Sequence, residues 1–208
     1  MPGTLVSIDL DWLNGAESPI DKLQRLLRHI PRKVPAVITI EHHEFLPHLR
    51  RWIKSKEVPI PLNIINFDEH HDFYYGRPPL DPNGTETDCG NWGFRLPIKW
   101  YRRFTWVHNT NTEFIDWDRA QEWLDKRKIQ SSMRNKPRLS ELRTEIVAAI
   151  FCVSPDYLKI DMFNCICDAI DIVACHFKMG KAPQVIRNGQ GVSSVKGWRV
   201  ASRPQKRK

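Results

Sequence analysis

The chain contains no run approaching the roughly 18 uninterrupted apolar residues that a membrane-spanning helix requires. Its first residues, MPGTLVSIDLDW, show no basic stretch followed by a long apolar core. The expectation from these two absences is a protein of the cytoplasm that does not enter a membrane. No two cysteines have the CxxC spacing of a zinc or redox motif, and the total of five is odd. Four of them (Cys152, Cys165, Cys167, Cys175) fall in segments that read as a buried strand and a helix, which suits reduced core thiols better than disulfides. Internal repeats, RNA-binding signatures and helix-turn-helix patterns are also missing. Acidic residues are absent from 181–208, which holds eight Lys/Arg, so residues 1–180 carry 24 basic against 24 acidic side chains. The net charge of +8 therefore belongs to the tail. A Gly, Ser and basic tail over 181–208 is expected to be flexible and at most to attract an acidic partner, so nucleic acid is not an expected ligand.

What is present is enough apolar material, 41% of 208 residues with eight tryptophans, to bury one domain over 1–180. Short apolar runs alternate with longer amphipathic ones. TLVSIDLDW reads as a strand, and SPIDKLQRLLRHI as a helix that Ser18 can cap and Pro19 can start, with Ile20, Leu23, Leu26, Leu27 and Ile30 on one face. AVITIEHHEF reads as a second strand, followed by a helix in EFLPHLRRWIKSK, where Pro47 fits only the first turn. LNIINFDEHHD, RFTWVHN and EIVAAIFCVSP supply three more strands, and helices are expected near 116–128 and 157–178. Strands that are apolar on both faces and separated by helices predict an α/β fold with a parallel sheet sandwiched by helices.

In such folds ligands bind at the carboxyl ends of the strands, and the ionisable residues collect there. The first strand ends in Asp9-Leu10-Asp11, the second in Glu41-His42-His43-Glu44, the third in Asp68-Glu69-His70-His71-Asp72, and the fourth in His108-Asn109. In an extended chain residues two apart share a face, so Asp9 points with Asp11, and Asp68 with His70 and Asp72. Taken singly, a DLD is more often a turn or helix cap, and His42 or His43 a loop histidine. HHEFLPH is not a zinc-protease helix, because Pro47 occupies the position of the second histidine in HExxH. Joint occurrence at three strand ends favours metal. Four carboxylates with one or two imidazoles exceed the roughly four ligands of a zinc ion and suit two hard divalent ions, manganese above others. Two such ions roughly 3.5–4 Å apart lower the pKa of a shared water toward neutrality. The tryptophans are expected in the core, with Trp12, beside the DLD pair, as the one placed to meet a ligand.

NFDEHHD resembles the D-A-H-x-D segment of arginases and related ureohydrolases, SIDLDWLN is similar to their S-F-D-x-D-x-L-D segment, and IEHHEF to their G-D-H segment. The spelling EHHEFLPHL, NFDEHHDF and NW is closer still to the arginase-like family that includes the peptide arginases, which convert arginine residues of precursor peptides to ornithine and urea. The resemblance spans most of residues 5–178. It implies two manganese ions held by Asp9, Asp11, His42, Asp68, His70 and Asp72, with Asp68 steering the attacking water. It also implies a histidine acid, His108 first and His71 second, to protonate the departing amine, and a substrate contact at Asn91. The strand order departs from that family, since the S-F-D-x-D strand stands first here. Cys152 of IFCVSPDY stands where the family's guanidinium-holding glutamate would be. Asp156, Glu41 or Glu44 are the candidates to replace it. The short chain implies an open cleft and an arginine-containing precursor peptide as partner. Two other classes stay open: another binuclear hydrolase, agmatinase-like or an amide deacetylase, and a non-catalytic peptide-binding module with a vestigial metal site.

Overall fold

The computed structural model describes residues 2–73, 90–109, 117–138, 142, 145–154, 162–179, 184–188 and 191–196. Six parallel strands form one sheet: β1 (Thr4–Asp9), β2 (Ala36–Thr39), β3 (Leu62–Phe67), β4 (Tyr101–Val107), β5 (Gln130–Arg134) and β6 (Ile146–Cys152), in the order β2-β6-β1-β3-β4-β5. The helices are α1 (Pro19–Leu27), α2 (Leu46–Lys54), the single turn α3 (Trp92–Arg95), α4 (Trp117–Lys126) and α5 (Phe163–His176). Alternation along the strands builds two cores. Val6, Ile8 and Ile38 pack with Leu23 and Leu26 of α1 and Ile166, Ile170 and Val173 of α5. Leu5, Val37 and Ile64 pack on the other face with Leu49 and Trp52 of α2 and Trp123 and Leu124 of α4. A parallel sheet covered on both sides by helices, as expected from the apolar strands, is therefore the fold. Among the described residues no helix is long and apolar enough to cross a membrane.

Several local expectations need correction. The strand expected in AVITIEHHEF ends at Thr39, and His42–Phe45 form a 3-10 turn that leads directly into α2. A capping box explains the switch: the Glu44 carboxylate accepts the backbone N–H of Glu41 at 3.0 Å, giving the chain a helical start where a strand would need ladder partners. β5, QSSMR, carries no apolar alternation and does not read as a strand in the sequence; as an edge strand it buries little and needs none. Ser18 precedes α1 without a side-chain cap, its carbonyl alone accepting from Lys22 N–H at 3.0 Å, while Pro19 starts the helix. Cys152 is buried, but Cys165 and Cys167 are half-buried and Cys175 exposed, so the helix thiols lie on its outer side. Apart from the large sheet, β7 (Gln184–Asn188) and β8 (Gly191–Lys196) pair as an antiparallel hairpin.

The strand registers align the carboxyl ends of the sheet. Asp9 pairs with Cys152 and Thr39 with Cys152, while Ile8 pairs with Phe67 and Phe67 with Val107, so β2, β6, β1, β3 and β4 all end at one level. The chain leaves β1 toward β2 on one side and β3 toward β4 on the other. The crevice between β1 and β3 is thus the place where strand order reverses, the position at which open α/β sheets hold ligands.

Candidate metal centre

The local backbone that carries each acidic side chain is a turn, not a continued strand. Asp9 ends β1 and accepts the N–H of Asp11 at 3.1 Å through Oδ1, capping a 3-10 turn over Leu10–Leu13. A cap and a candidate ligand are the same residue here, so the two interpretations of DLD do not exclude each other. Asp68 likewise caps its own turn, accepting His70 N–H at 2.8 Å, and Asp72 adopts a left-handed conformation with φ of 61°. Convergence occurs as expected, but these two turns produce it in place of strand alternation.

Asp9, Asp11, His42, Asp68 and Asp72 are all buried, and His70 is half-buried with 30% of its side chain exposed. His42 Nδ1 stands 3.0 Å from Asp72 Oδ2, 3.2 Å from Asp68 Oδ2 and 3.4 Å from Asp9 Oδ2. His70 Nδ1 stands 3.2 Å from Asp11 Oδ2 and 3.7 Å from Asp68 Oδ1. The two oxygens of Asp68 therefore face different histidines. Among the described residues three groups of donors gather closely enough to hold an ion: Asp11 with Asp68 and His70, His42 with Asp68 and Asp72, and Asp9 with His42 and Cys152. His43, by contrast, turns outward to the exposed Glu41, 3.3 Å away.

The fit to a cation can be tested on one atom. His42 Nδ1 is buried among three carboxylate oxygens, yet it hydrogen-bonds to none of them among the described residues. Neighbouring donors in an octahedron with bonds of about 2.1 Å lie about 3.0 Å apart, which matches these spacings. Donors arranged around a common point, and not aimed at one another, are what a hard divalent cation requires. The other ring nitrogen, Nε2, lies 2.6 Å from Ser7 Oγ, which fixes the imidazole so that Nδ1 faces the carboxylates.

Electrostatics give the same answer. Burial, followed by the charges of Asp11 and Asp68, holds the Asp9 carboxyl well above the usual carboxylate range. Burial and Asp68 push Asp11 up to about 6, and burial and Asp72 push Asp68 up to about 6. Burial by itself would lower both histidines, but the surrounding carboxylates outweigh it, raising His42 well above the imidazole range and His70 to about 10. Without a cation, the cluster collects protons to relieve its own repulsion.

Several supporting residues carry little signal in the sequence. Asn66 Nδ2 donates to Asp68 at 3.1 Å and to Asp72 at 3.0 Å, and Trp92 Nε1 donates to Asp72 at 2.6 Å. Ser154 Oγ donates to Asp9 Oδ2. Asn14 donates to Glu69 at 3.0 Å, and Glu69 N–H donates to Asp11 at 3.2 Å. Asn66, two residues before Asp68 on a buried strand, is the legible one, because a buried amide demands partners. The rest meet the cluster only through tertiary contact.

The remaining candidates occupy varied positions. His71 is buried against Trp106 and Trp117, with ring centroids 5.3 and 5.8 Å away, and its Nδ1 accepts Phe73 N–H. His108, half-buried beyond β4, holds Nδ1 2.7 Å from the Asn109 carbonyl. Asn91 is buried at the start of α3, where its carbonyl accepts Phe94 N–H. Glu44 is engaged in its capping box and Glu41 is exposed. Cys152 Sγ donates to the Ile40 carbonyl at 3.2 Å, and burial keeps its thiol well above its ordinary pKa. Asp156 lies outside the described residues. Trp12 is buried edge-on to Phe67 and borders a cleft of about 520 Å³ that also reaches Asn14 and Asn109. Compared with known proteins, the chain matches no family model, no curated protein and no solved structure.

Proposed function

We propose that the chain is a binuclear manganese hydrolase that converts arginine residues of a peptide to ornithine with release of urea. The observation that carries this reading is Asp68, whose two carboxylate oxygens face the two histidines of two separate donor groups. One group is Asp11, Asp68 and His70; the other is His42, Asp68 and Asp72, with Asp9 beside it. A carboxylate shared in this way suits two cations held side by side. Bound there, divalent ions would neutralise the four aspartates and make a water acidic enough to attack near neutral pH. The remaining chemistry belongs to the chain. Asp68 orients the attacking water toward the guanidinium carbon, and the half-buried His108 donates a proton to the departing side-chain nitrogen. Water and guanidinium are thereby exchanged for urea and an ammonium group. Trp92 and Asn66 hold Asp72 and Asp68 in place, and Ser7 holds His42.

A specific observation supports a second substrate class. Cys152, with its thiol turned to the Ile40 carbonyl, offers no anion for a guanidinium. An amide-hydrolysing activity on the same centre, which needs no guanidinium-binding anion, therefore stands as the alternative. Incubating the protein and manganese with an arginine-containing peptide separates them by mass spectrometry. A loss of about 42 Da per arginine, with about two metals per chain, is the expected result. Bound metal without that loss would transfer the centre to other amidine or amide substrates, and a chain that binds no divalent cation would refute the metal reading altogether.

A further inference from the structure

The cleft beside the centre has a charge opposite to that of the centre itself. Its walls include Trp12, Lys22, Arg25, Asn109 and Lys136, and among the described residues the one acidic side chain in its lining is Glu17. Lys22 is half-buried, with Nζ 3.5 Å above the centre of the Trp12 ring and donating to the Trp12 carbonyl at 2.8 Å. No carboxylate neutralises it among the described residues, and burial lowers its pKa to about 8, which still leaves it charged at neutral pH. Trp12 Nε1 is buried and has no hydrogen-bond partner among the described residues. An ammonium in the wall of the cleft, held by a carbonyl and a ring face but by no carboxylate among the described residues, favours an anionic ligand there.

The cleft also adjoins the acidic cluster. Trp12 follows Asp11 in the chain, and Asn109 in the same wall donates to the Asp11 carbonyl at 3.4 Å. A ligand spanning both places would have its guanidinium at the metal centre and Lys22, Arg25 and Lys136 at its other end. We infer that this cleft binds a carboxylate of the substrate, so that the protein selects arginines accompanied by a negative charge. The inference rests on the hydrolase reading for the position of the guanidinium. Two sources share this chemistry: an Asp or Glu beside the arginine, or the terminal carboxylate of an arginine that ends a peptide. A substrate with neither would place its arginine beside three cations that face one carboxylate, Glu17, among the described residues, which disfavours it.

The test uses the full chain and two pairs of short peptides. One pair has an internal arginine flanked by Glu or by Gln; the other ends in arginine as the free acid or the amide. Binding is measured by calorimetry with and without manganese, and product by mass spectrometry. In at least one pair the carboxylate member is expected to bind about tenfold more tightly or better, and the pair that shows it identifies the source. Lys22→Met and Lys136→Met should each reduce that ratio. Lys136 is exposed, so its substitution keeps the test valid even where Lys22→Met impairs folding. Equal binding within both pairs, or a preference that survives Lys136→Met, overturns the inference. Ornithine formed alike from every peptide would do the same while leaving the hydrolase reading in place. A carboxylate preference with no ornithine would keep the cleft and refute the hydrolysis of arginine.

Discussion

Removing metal should make stability fall as pH rises, and restoring it should reverse the trend. In the metal-free protein Asp11 and Asp68 titrate at about 6 in place of 3.8. For a carboxyl whose folded pKa is raised, the folded state binds more protons than the unfolded one between the two values, so stability is lost as pH climbs through that window. A shift of about two units corresponds to roughly 3 kcal/mol for each group at pH 7. The two are close neighbours, so their effects do not add. His70 acts in the same direction: its pKa rises from 6.5 to about 10, so the stability it contributes is complete below pH 6.5 and lost as pH rises toward 10. For a chain of this size roughly 3 kcal/mol corresponds to about 6–12 °C in Tm. About two thirds of that change falls between pH 4.5 and 7, so the chelated protein should melt at least about 4 °C lower at pH 7 than at pH 4.5. Manganese binds the deprotonated set, so its stabilisation should grow over the same interval and reach about 4 kcal/mol at a thousandfold excess over Kd. Calorimetric melts from pH 4.5 to 7.5, with chelator and with manganese, measure both. A metal-free Tm that stays level or rises toward pH 7, or a manganese shift that does not grow with pH, would refute the idea that these carboxylates await a cation.

Asp68→Asn removes the oxygen pair shared by both donor groups. It should abolish the manganese-induced Tm shift while leaving the metal-free protein at pH 7 as stable as wild type or more so, because one buried like charge is gone. Trp92→Phe keeps the ring but removes the donor to Asp72, and should weaken manganese binding by about 10–100-fold in a competition titration. His71→Gln separates two roles for that residue. If its ring serves packing on Trp106 and Trp117, the variant loses about 1–3 kcal/mol in urea denaturation but retains ornithine formation within about threefold; a loss of activity with unchanged stability would restore it as the acid.

The alternation of apolar strands and amphipathic helices was enough to establish the parallel sandwich, because β1, β2, β3 and β6 are buried on both faces and each of the longer helices has one wet side. The sequence also determined that DLD, EHHE and DEHHD follow strand ends, and in a parallel sheet those ends share one edge. It could not supply β5, whose five residues carry no hydrophobic pattern, or the end of β2 at Thr39, which a capping box sets against a continuing apolar run. Which of His42 and His43 faces inward follows from the 3-10 turn and from Ser7, thirty-five residues away. The sheet order put β1 next to β3, and only that adjacency brings Asp9 and Asp11 to Asp68, His70 and Asp72. Lys22 reads in sequence as one more solvated charge on an amphipathic helix. Its place over Trp12 exists only because α1 packs beside the turn that ends β1, and contacts between distant segments leave no periodicity in a sequence.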